Sequence, residues 1–414
     1  MKNRAMAALC AVLMTATACG GAPVYMTESE LNERASELAA APVETAAGTD
    51  ALTDAASDRM SATAAEKATP APTTEATTAP TTEPTTEPTT EETTEPTTEE
   101  TTEPTTEAAE WDMPTDGTSS ILNGCLVVNQ GTDHARAIEL FGGNHSVSSR
   151  YAGVLDQYQQ ALGDGVQVWC MVVPTSQAFY TPEEFASKNG DQRAEYENVA
   201  ASLTAAKPVP VYDALYAHRG EATYSRTDYH WQPLGAYYAA EQFAKVAGVP
   251  YAKLSTYEAV EREGYVGAFA AVNKIGGLSP ETFTYYKPAN LDSVECTYYN
   301  VDFTNARSGK MFHEDNSIGA SYTVFIGTDE CIFEADVADA PNDRVLVIMK
   351  DSYGNALVPF LTQSFSKIYL TDFRYFQGSL VNFCQNVGAT DVLFALSSVA
   401  VTTSNKVDQA GGHF

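Results

Sequence analysis

The pattern of hydrophobic and polar positions divides the chain into three kinds of segment. An apolar run covers residues 5–18, residues 69–107 hold no apolar side chain larger than Ala or Pro, and short apolar runs alternate with amphipathic stretches from Trp111 onward. A segment without large apolar side chains cannot bury a core. The folded part is therefore predicted to begin near residue 111, and about 300 residues correspond to one large domain or a domain with an insertion.

Within this part, the apolar runs favour strands and the amphipathic stretches favour helices. The predicted strands are 166–173, 209–212, 345–349, 368–371 and 392–396, of which 209–212 is interrupted by Pro210. The predicted helices are 146–162, 192–206, 233–247, 356–364 and 378–387. Near-continuous apolar strands that alternate with helices indicate an α/β fold with a parallel sheet covered on both faces.

Residues 255–340 have a different pattern, with Tyr, Thr, Val and Gly but no helical periodicity. The stretches 282–286 and 322–326 alternate in the manner of strands. We therefore predict a β-rich insertion at 255–340 between the two halves of an α/β domain that spans 111–414.

The N-terminus has the organisation of an export signal. Lys2 and Arg4 precede the apolar run, which is too short to span a bilayer, and small residues lead to Cys19. The segment 1–18 is predicted to be a signal peptide. A small-residue stretch before Cys and Gly resembles a bacterial lipobox, which implies lipidation of Cys19, although Ala16 stands where Leu is usual; an ordinary secretory signal is the alternative.

Two polar segments follow the signal. Residues 19–68 form an Ala/Ser/Thr-rich linker, and residues 69–110 form a low-complexity segment built on Thr, Glu and Pro. Proline prevents helix formation and glutamate repulsion favours extension, so 69–110 is predicted to be a disordered stalk. Signal, anchor and stalk together predict an extracytoplasmic protein attached to the bacterial cell membrane by lipid.

Charge and cysteine content exclude several classes of function. The net charge is -30, and acids exceed bases both in residues 20–110 (20 against 3) and in residues 111–414 (34 against 19). Nucleic acid is therefore not an expected partner. The five cysteines beyond Cys19 are widely spaced and form no CxxC pair, so neither a disulfide framework nor a zinc site is indicated, although one bridge such as Cys296–Cys331 stays open.

The first segment with candidate chemistry is Arg226 to Trp231, which precedes the predicted helix 233–247. Asp228 and His230 are two residues apart, so their side chains share one face of an extended segment. A carboxylate beside an imidazole orients the ring and stabilises its protonated form, as a general base requires. A surface loop with a hydrogen-bonded histidine is the alternative.

The second segment is the apolar strand 345–349 and the residues after it, which include Asp351 and Ser352. Sites in open parallel sheets lie at the carboxyl ends of strands, and free N–H groups at a helix start favour negative charge. Ser352 is thus placed where a nucleophile would form an oxyanion. A simple helix cap by Asp351 or Ser352 is the alternative.

Together, these segments resemble the DHHW family and, through it, the SGNH-hydrolase-like domain of alginate O-acetyltransferases. The stretches that match the family are 227–231 with Gly235 to Tyr238, 172–175, 350–353, 370–376, 139–143 and 325–327. One departure is Tyr229, which replaces the first histidine of the name. The resemblance implies a three-layer α/β/α SGNH-like fold over about residues 120–400.

The resemblance also implies roles for individual residues. Ser352 is the nucleophile, His230 the general base and Asp228 the residue that orients it. Arg374 is a candidate second oxyanion donor or substrate-binding residue, with a salt bridge to Asp372 as the alternative. Two further residues, Tyr353 and Asn355, are candidates to line the site, while Trp231 is expected to pack. No cofactor and no metal are implied.

The predicted function is extracytoplasmic serine acyl transfer, with O-acetylation of a cell-surface polysaccharide as the expected reaction. A membrane-bound O-acyltransferase is the partner that the resemblance suggests as the source of acetyl groups. Two alternatives stay open, namely a carbohydrate acetyl-esterase and a non-catalytic surface or adhesion module on the same fold.

Overall fold

The computed structural model describes residues 113–414, which hold thirteen strands and ten α-helices. The strands are β1 Thr118–Leu122, β2 Cys125–Gln130, β3 Arg136–Glu139, β4 Gln167–Val173, β5 Lys207–Pro208, β6 Glu258–Tyr265, β7 Glu281–Lys287, β8 Val294–Tyr299, β9 Arg307–Ser308, β10 Ile332–Val337, β11 Val345–Lys350, β12 Lys367–Asp372 and β13 Asp391–Ser397. The helices are α1 His145–Leu162, α2 Gln177–Tyr180, α3 Gln192–Ser202, α4 Val211–Ala217, α5 Pro233–Ala247, α6 Ala268–Ala271, α7 Val358–Leu361, α8 Leu380–Val387, α9 Ser398–Val401 and α10 Ser404–Gly411. Short 3-10 helices cover Glu183–Lys188, Leu254–Thr256, Leu291–Ser293, Ile318–Val324 and Ser352–Leu357.

The central sheet has eight strands in the order β5-β4-β13-β11-β12-β10-β8-β9. The first five are parallel to one another, and β10, β8 and β9 continue the sheet in antiparallel fashion. The predicted α/β class is confirmed, whereas the predicted parallel sheet is parallel only in its first five strands. The carboxyl ends of β4, β13, β11 and β12 therefore meet at one edge, where sites of this architecture form.

Side chains alternate between two hydrophobic cores, one on each face of this sheet. In β11, Leu346 and Ile348 contribute to the core that contains α5, whereas Val347 and Met349 contribute to the core that contains α1. Both faces are thus apolar, which explains why the central strands have continuous hydrophobic runs rather than alternating ones.

Helix α5 matches its predicted bounds because both ends are set by local residues. Pro233 occupies the first turn, where its missing N–H costs nothing. Gly248 ends the helix with φ +66°, a left-handed conformation that glycine adopts without a Cβ penalty. This helix directly follows the Asp228/His230 segment and anchors its end.

Four predicted elements differ from the structure. Segment 209–212 is not a strand, because Pro208 and Pro210 limit pairing to the two-residue β5 and helix α4 begins at Val211. Segment 322–326 is not a strand either; it lies across the end of the 3-10 helix Ile318–Val324 and pairs only through a Phe312–Phe325 bridge. The predicted helix 356–364 is divided between Ser352–Leu357 and α7.

The fourth difference concerns α3, which ends at Ser202 rather than at residue 206. The buried Asp156 carboxylate accepts hydrogen bonds from the backbone N–H groups of Thr204, Ala205 and Ala206. These three donors point to one carboxylate and cannot continue a helix, so a tertiary contact ends α3 early.

The predicted β-rich insertion is only partly separate. Strands β6 and β7 form their own two-stranded sheet, whereas β8, β9 and β10 extend the central sheet. A three-stranded sheet, β1-β2-β3, was not predicted at all. Asn123 and Gly124, both with positive φ, form the β1–β2 turn, and Asn-Gly is the sequence signal that would have revealed this hairpin.

Candidate active site

Ser352 lies at the carboxyl end of β11, at the first position of the 3-10 helix Ser352–Leu357. The side chain of Asp351 caps this helix by accepting from the Tyr353 N–H, and it also accepts from the Ser397 N–H at the end of β13. The helix cap that was the alternative interpretation is therefore formed by Asp351. The hydroxyl of Ser352 is not used as a cap. Gly354 is required here because a Cβ would lie 2.4 Å from the Cβ of Lys350.

Asp228 and His230 lie at the tip of a loop that folds back on itself. Tyr224 and Trp231 form an antiparallel bridge, and the Ser225 N–H donates to the His230 carbonyl. The carboxylate of Glu281 in β7 accepts from two backbone N–H groups and two hydroxyls of residues 225–227. Hydrogen bonds to the strand pair β6–β7 therefore fix the position of this loop.

The three predicted residues form a continuous chain of hydrogen bonds. His230 Nδ1 lies 2.6 Å from Asp228 Oδ1, and His230 Nε2 lies 2.7 Å from Ser352 Oγ. An ionised carboxylate accepts from Nδ1–H, so Nε2 carries the lone pair that faces the serine hydroxyl. This geometry lets His230 remove the proton from Ser352 while Asp228 stabilises the resulting imidazolium.

The Asp228 carboxylate is buried and hydrogen-bonded on both oxygens. Oδ2 accepts from the Tyr265 hydroxyl at 2.8 Å and from the Ala268 N–H at 2.7 Å, and Oδ1 also accepts from the His230 N–H. Burial by itself raises the pKa of Asp228, but His230 and these hydrogen bonds outweigh it and lower the pKa to about 2. A Cβ at Gly267 would lie 2.3 Å from Oδ2, so only glycine lets this backbone approach.

Tyr322 holds the imidazole ring of His230 from one side. The two rings stack with centroids 3.9 Å apart and an interplanar angle of 8°. The Tyr322 hydroxyl donates to the carbonyl oxygens of Ser352 and Tyr353, at 3.0 and 3.1 Å. One side chain thus connects the base to the segment that carries the nucleophile, and it comes from the region predicted to be an insertion.

Arg374 lies in a cluster of ion pairs that includes Lys350, two residues before Ser352. Its guanidinium bonds both carboxylate oxygens of Asp372, at 2.8 and 2.7 Å, and Asp329 at 2.9 Å. The ammonium of the buried Lys350 bonds the same two aspartates at 2.6 and 2.8 Å. Burial raises the pKa of Asp329, but Lys350 and Arg374 outweigh it and hold this pKa well below the usual value. The structure places Arg374 in the salt bridge that was its structural alternative.

Two other candidates have buried side chains that form hydrogen bonds next to the site. Asn355 is buried and donates from Nδ2 to Asp329 at 2.8 Å, which makes it a member of the same cluster. Tyr353 is buried, and its hydroxyl donates to the Tyr229 carbonyl at 2.5 Å. Trp231 is fully buried, as expected, and its indole N–H lies 3.1 Å from both the Tyr322 hydroxyl and the Tyr353 carbonyl.

Tyr229, which replaces a histidine of the family name, points away from the Asp228/His230 face. Its ring packs on Phe269 with centroids 4.5 Å apart, and its hydroxyl bonds Asn273. The replacement therefore leaves the contacts of Asp228 and His230 in place.

Several residues that support the site were not identified from the sequence, namely Tyr265, Ala268, Glu281, Tyr322, Asp329 and Lys350. All but Lys350 come from residues 255–340. Lys350 carried a signal, since a lysine at the end of a buried strand needs carboxylate partners.

Residues 113–414 contain no group of three His, Cys, Asp or Glu side chains arranged to hold a metal ion. Their five cysteines are buried free thiols, Cys296 and Cys331 included. In the same part of the chain, no helix has the length and apolarity needed to cross a bilayer. The predicted signal 1–18, Cys19, the linker 19–68 and the stalk 69–110 lie outside the described residues.

The fold and site define an α/β domain with a Ser-His-Asp arrangement at the carboxyl edge of its sheet. The DHHW family model matches residues 118–371, so the chain belongs to the DHHW family. A crystal structure of a DHHW family protein from Eubacterium siraeum is 37% identical and covers 73% of this chain and 99% of that one, with a TM-score of 0.68.

Two structures with lower sequence identity also match the chain, and the first of them is similar in fold. PatB1 of Bacillus cereus, solved with a sulfonyl adduct, is 16% identical and covers 69% of this chain and 97% of that one, with a TM-score of 0.55. The O-acetyltransferase domain of Pseudomonas putida AlgJ is 12% identical, covers 70% and 99% and has a TM-score of 0.40. No curated protein matches the chain.

Proposed function

We propose that the domain is a serine acyl-transfer enzyme that O-acetylates a cell-surface polysaccharide. The observation that carries this proposal is the hydrogen-bonded chain from Asp228 through His230 to Ser352 Oγ. A buried carboxylate, an oriented imidazole and a half-buried hydroxyl in this order make up the apparatus of nucleophilic acyl transfer.

The reaction would proceed in two balanced steps. Ser352 Oγ attacks the carbonyl carbon of the acetyl donor, its proton passes to His230 Nε2, and the leaving group departs with that proton. Ser352 Oγ is then bonded to the acetyl carbon as an ester. In the second step, an acceptor hydroxyl gives its proton to His230, its oxygen attacks the acetyl carbon, and Ser352 recovers the proton.

The position of Ser352 at a helix start also supports the proposal. Its backbone N–H belongs to the first turn of the 3-10 helix and would serve as an oxyanion donor. Arg374 is held by two aspartates, so we do not assign it as the second donor.

The proposed localisation rests on the sequence of segments outside the described residues, and the proposed acetyl source rests on the family resemblance. We propose that the signal 1–18 exports the chain, that a lipid on Cys19 tethers it to the cell membrane, and that the stalk 69–110 lifts the domain toward its polymer. A membrane-bound O-acyltransferase is the proposed acetyl source. Mass spectrometry of the membrane fraction should show the lipidated Cys19 peptide. Recovery of the protein mainly from the culture medium, with Cys19 unmodified or absent, would contradict the anchor.

The test of the chemistry is covalent labelling of Ser352 in the full chain with a serine-reactive sulfonyl or acyl probe. We expect wild type to be labelled at Ser352, Ser352→Ala not at all, and His230→Ala at least a hundredfold more slowly, because the general base is lost. Turnover of an aryl acetate should fall at least a thousandfold in Ser352→Ala. Equal turnover in wild type and Ser352→Ala would favour a non-catalytic surface module.

Hydrolysis is the second candidate function, because the same three residues can pass the acetyl group to water. Product analysis with a glycan acceptor distinguishes the two: transfer yields a sugar ester, and an esterase yields only free acetate.

A further inference from the structure

A cavity of about 300 Å³ is lined by helix α2, by the loop that follows it and by the first residue of α3. Helix α2 begins four residues after Val173, the last residue of β4, so the cavity lies at the carboxyl edge of the central sheet, which also carries Ser352. Only β13 separates β4 from β11, so the ends of these two strands are roughly 10 Å apart. The volume is at the lower end of the range of about 300–1,000 Å³ that small-molecule sites have.

Hydrogen bonds connect the wall of this cavity to the segment that carries the nucleophile. Gln192 is buried, lines the cavity and accepts from the hydroxyl of Ser398. Ser398 directly follows Ser397, whose N–H donates to the carboxylate of Asp351. Asp351 is the residue before Ser352, so two hydrogen bonds and a few residues of chain join the cavity to the nucleophile.

An aromatic contact connects the same cavity to the loop of the base. Phe179 lines the cavity and packs on Tyr224, with ring centroids 5.6 Å apart. Tyr224 forms the antiparallel bridge with Trp231, the residue after His230. The cavity is therefore held in a fixed relation to both halves of the triad.

Asn189 lines the cavity and has a buried amide nitrogen without a partner. Its Oδ1 accepts from the Phe141 N–H at 3.1 Å, which fixes Nδ2 as the donor end of the amide. Among residues 113–414, no acceptor lies within hydrogen-bond distance of Nδ2. A buried donor without an acceptor is destabilising, and such a group in a native structure is usually met by water or by a ligand.

The loop that carries Asn189 is held in place by its neighbours. The Gly190 N–H donates to the Phe141 carbonyl at 2.6 Å, and Gln177 Nε2 donates to the Gly190 carbonyl at 3.3 Å. A Cβ at Gly190 would lie 2.5 Å from the Gly142 carbonyl oxygen, so this close approach requires glycine. A donor on a fixed loop loses little conformational entropy when it binds a ligand.

The composition of the cavity wall favours an uncharged sugar. The amides of Gln177, Asn189 and Gln192 line it together with the rings of Phe179 and Tyr212. Amides both donate to and accept from hydroxyl groups, and aromatic rings pack on the apolar C–H faces of a sugar ring. No lysine or arginine is among the residues that line the cavity, so an anionic ligand would meet no opposite charge there.

We propose that this cavity binds one uncharged sugar unit of the acceptor polysaccharide, with Asn189 Nδ2 donating to a sugar hydroxyl. The inference rests on the proposed function and adds the place at which the polymer is held. A unit bound beside β4 keeps a nearby unit of the same polymer chain at Ser352. A hydroxyl of that nearby unit then meets the acetyl ester in competition with water.

The test measures binding of the full chain, without any acetyl donor, to an array of neutral and acidic bacterial surface oligosaccharides. We expect wild type to bind neutral oligosaccharides, and Asn189→Ala to bind them about tenfold more weakly because one hydrogen bond is lost. Phe179→Leu keeps an apolar side chain but loses the ring, and should weaken binding several-fold without touching the loop of Asn189. Urea unfolding of each variant shows that it is folded.

The matched control is Asn386→Ala, since Asn386 is an exposed asparagine on α8 that does not line the cavity. This variant should bind as wild type does. Equal binding by wild type and Asn189→Ala would overturn the inference, as would wild type that binds acidic oligosaccharides alone or none at all. Binding of neutral oligosaccharides by wild type that is not labelled at Ser352 would instead overturn the proposed function, because the cavity would then belong to a non-catalytic surface module.

Discussion

The end of β11 joins two groups of charged side chains that differ in what their charges do. On one side, Asp228, His230 and Ser352 form a line of hydrogen bonds that ends at a half-buried hydroxyl. On the other, Lys350 and Arg374 face Asp329 and Asp372, so two positive charges balance two negative ones. Lys350 and Ser352 are only two residues apart, yet one is enclosed and the other is available.

The contrast shows that a shifted pKa does not by itself identify a candidate catalytic residue. Burial raises the pKa of both Asp228 and Asp329, but hydrogen bonds and a basic neighbour, His230 for the first and Lys350 with Arg374 for the second, outweigh it and lower both pKa values. Only Asp228 is connected, through His230, to a serine hydroxyl, that of Ser352. A network in which every charge has an opposite partner stabilises the sheet. A network that ends at a serine hydroxyl has the arrangement that nucleophilic catalysis requires.

Removing Lys350 gives the largest expected effect on stability. Lys350→Met keeps an unbranched, flexible side chain but leaves the buried Asp372 with one cation fewer, which should cost about 3–5 kcal/mol in the free energy of unfolding. Urea unfolding would measure the loss. The exposed Lys188→Met should change it by less than about 0.5 kcal/mol.

Ser352→Ala sharpens the same comparison, because it should abolish labelling while the midpoint of urea unfolding hardly moves. A Lys350→Met variant as stable as wild type would contradict the structural role of the ion-pair cluster.

Low pH should reduce the contribution of Asp228 to the free energy of unfolding, by a smaller amount than Lys350→Met does. The folded-state pKa of Asp228 is about 2, below its ordinary 3.8, so its stabilisation is complete above about pH 4 and is lost as pH falls toward 2. The shift corresponds to about 2 kcal/mol. Asp228→Asn lacks this dependence, so the difference in unfolding free energy between wild type and variant should narrow by about that amount between pH 5 and pH 2.

Asp329 and its cluster titrate in both proteins and cancel from this difference. Two pH curves that run parallel over the interval would show that Asp228 is not held by His230 in solution.

Tyr322 gives the smallest expected effect. Tyr322→Phe keeps the stacked ring but loses the hydroxyl that donates to the Ser352 and Tyr353 carbonyls, so stability should fall by about 1 kcal/mol and the labelling rate by a few-fold. Tyr322→Leu also loses the stacking on His230 and should slow labelling further. Equal rates in the two variants would mean that the ring does not orient the base.

Local pattern was sufficient to predict the central strands and to single out the segments that hold Asp228, His230 and Ser352, whereas the roles of these three residues were implied by the resemblance to the DHHW family. Strands β4, β11, β12 and β13 are continuous apolar runs, and Asp228 and His230 share a face at the spacing of an extended segment. Elements defined by pairing with distant segments were missed, such as the hairpin β1–β2 and the attachment of β8 and β10 to the central sheet.

The sequence by itself determined that this chain has an α/β domain with a serine at a strand end and an Asp-x-His loop, because periodicity and spacing are local properties. Tertiary structure alone decided that His230 reaches Ser352 across 122 residues of chain and that Tyr265 and Tyr322 hold the pair. It also decided that Arg374 is bound by Asp329, 45 residues away. Whether a charge is free or paired depends on neighbours brought together by folding, and no local pattern contains them.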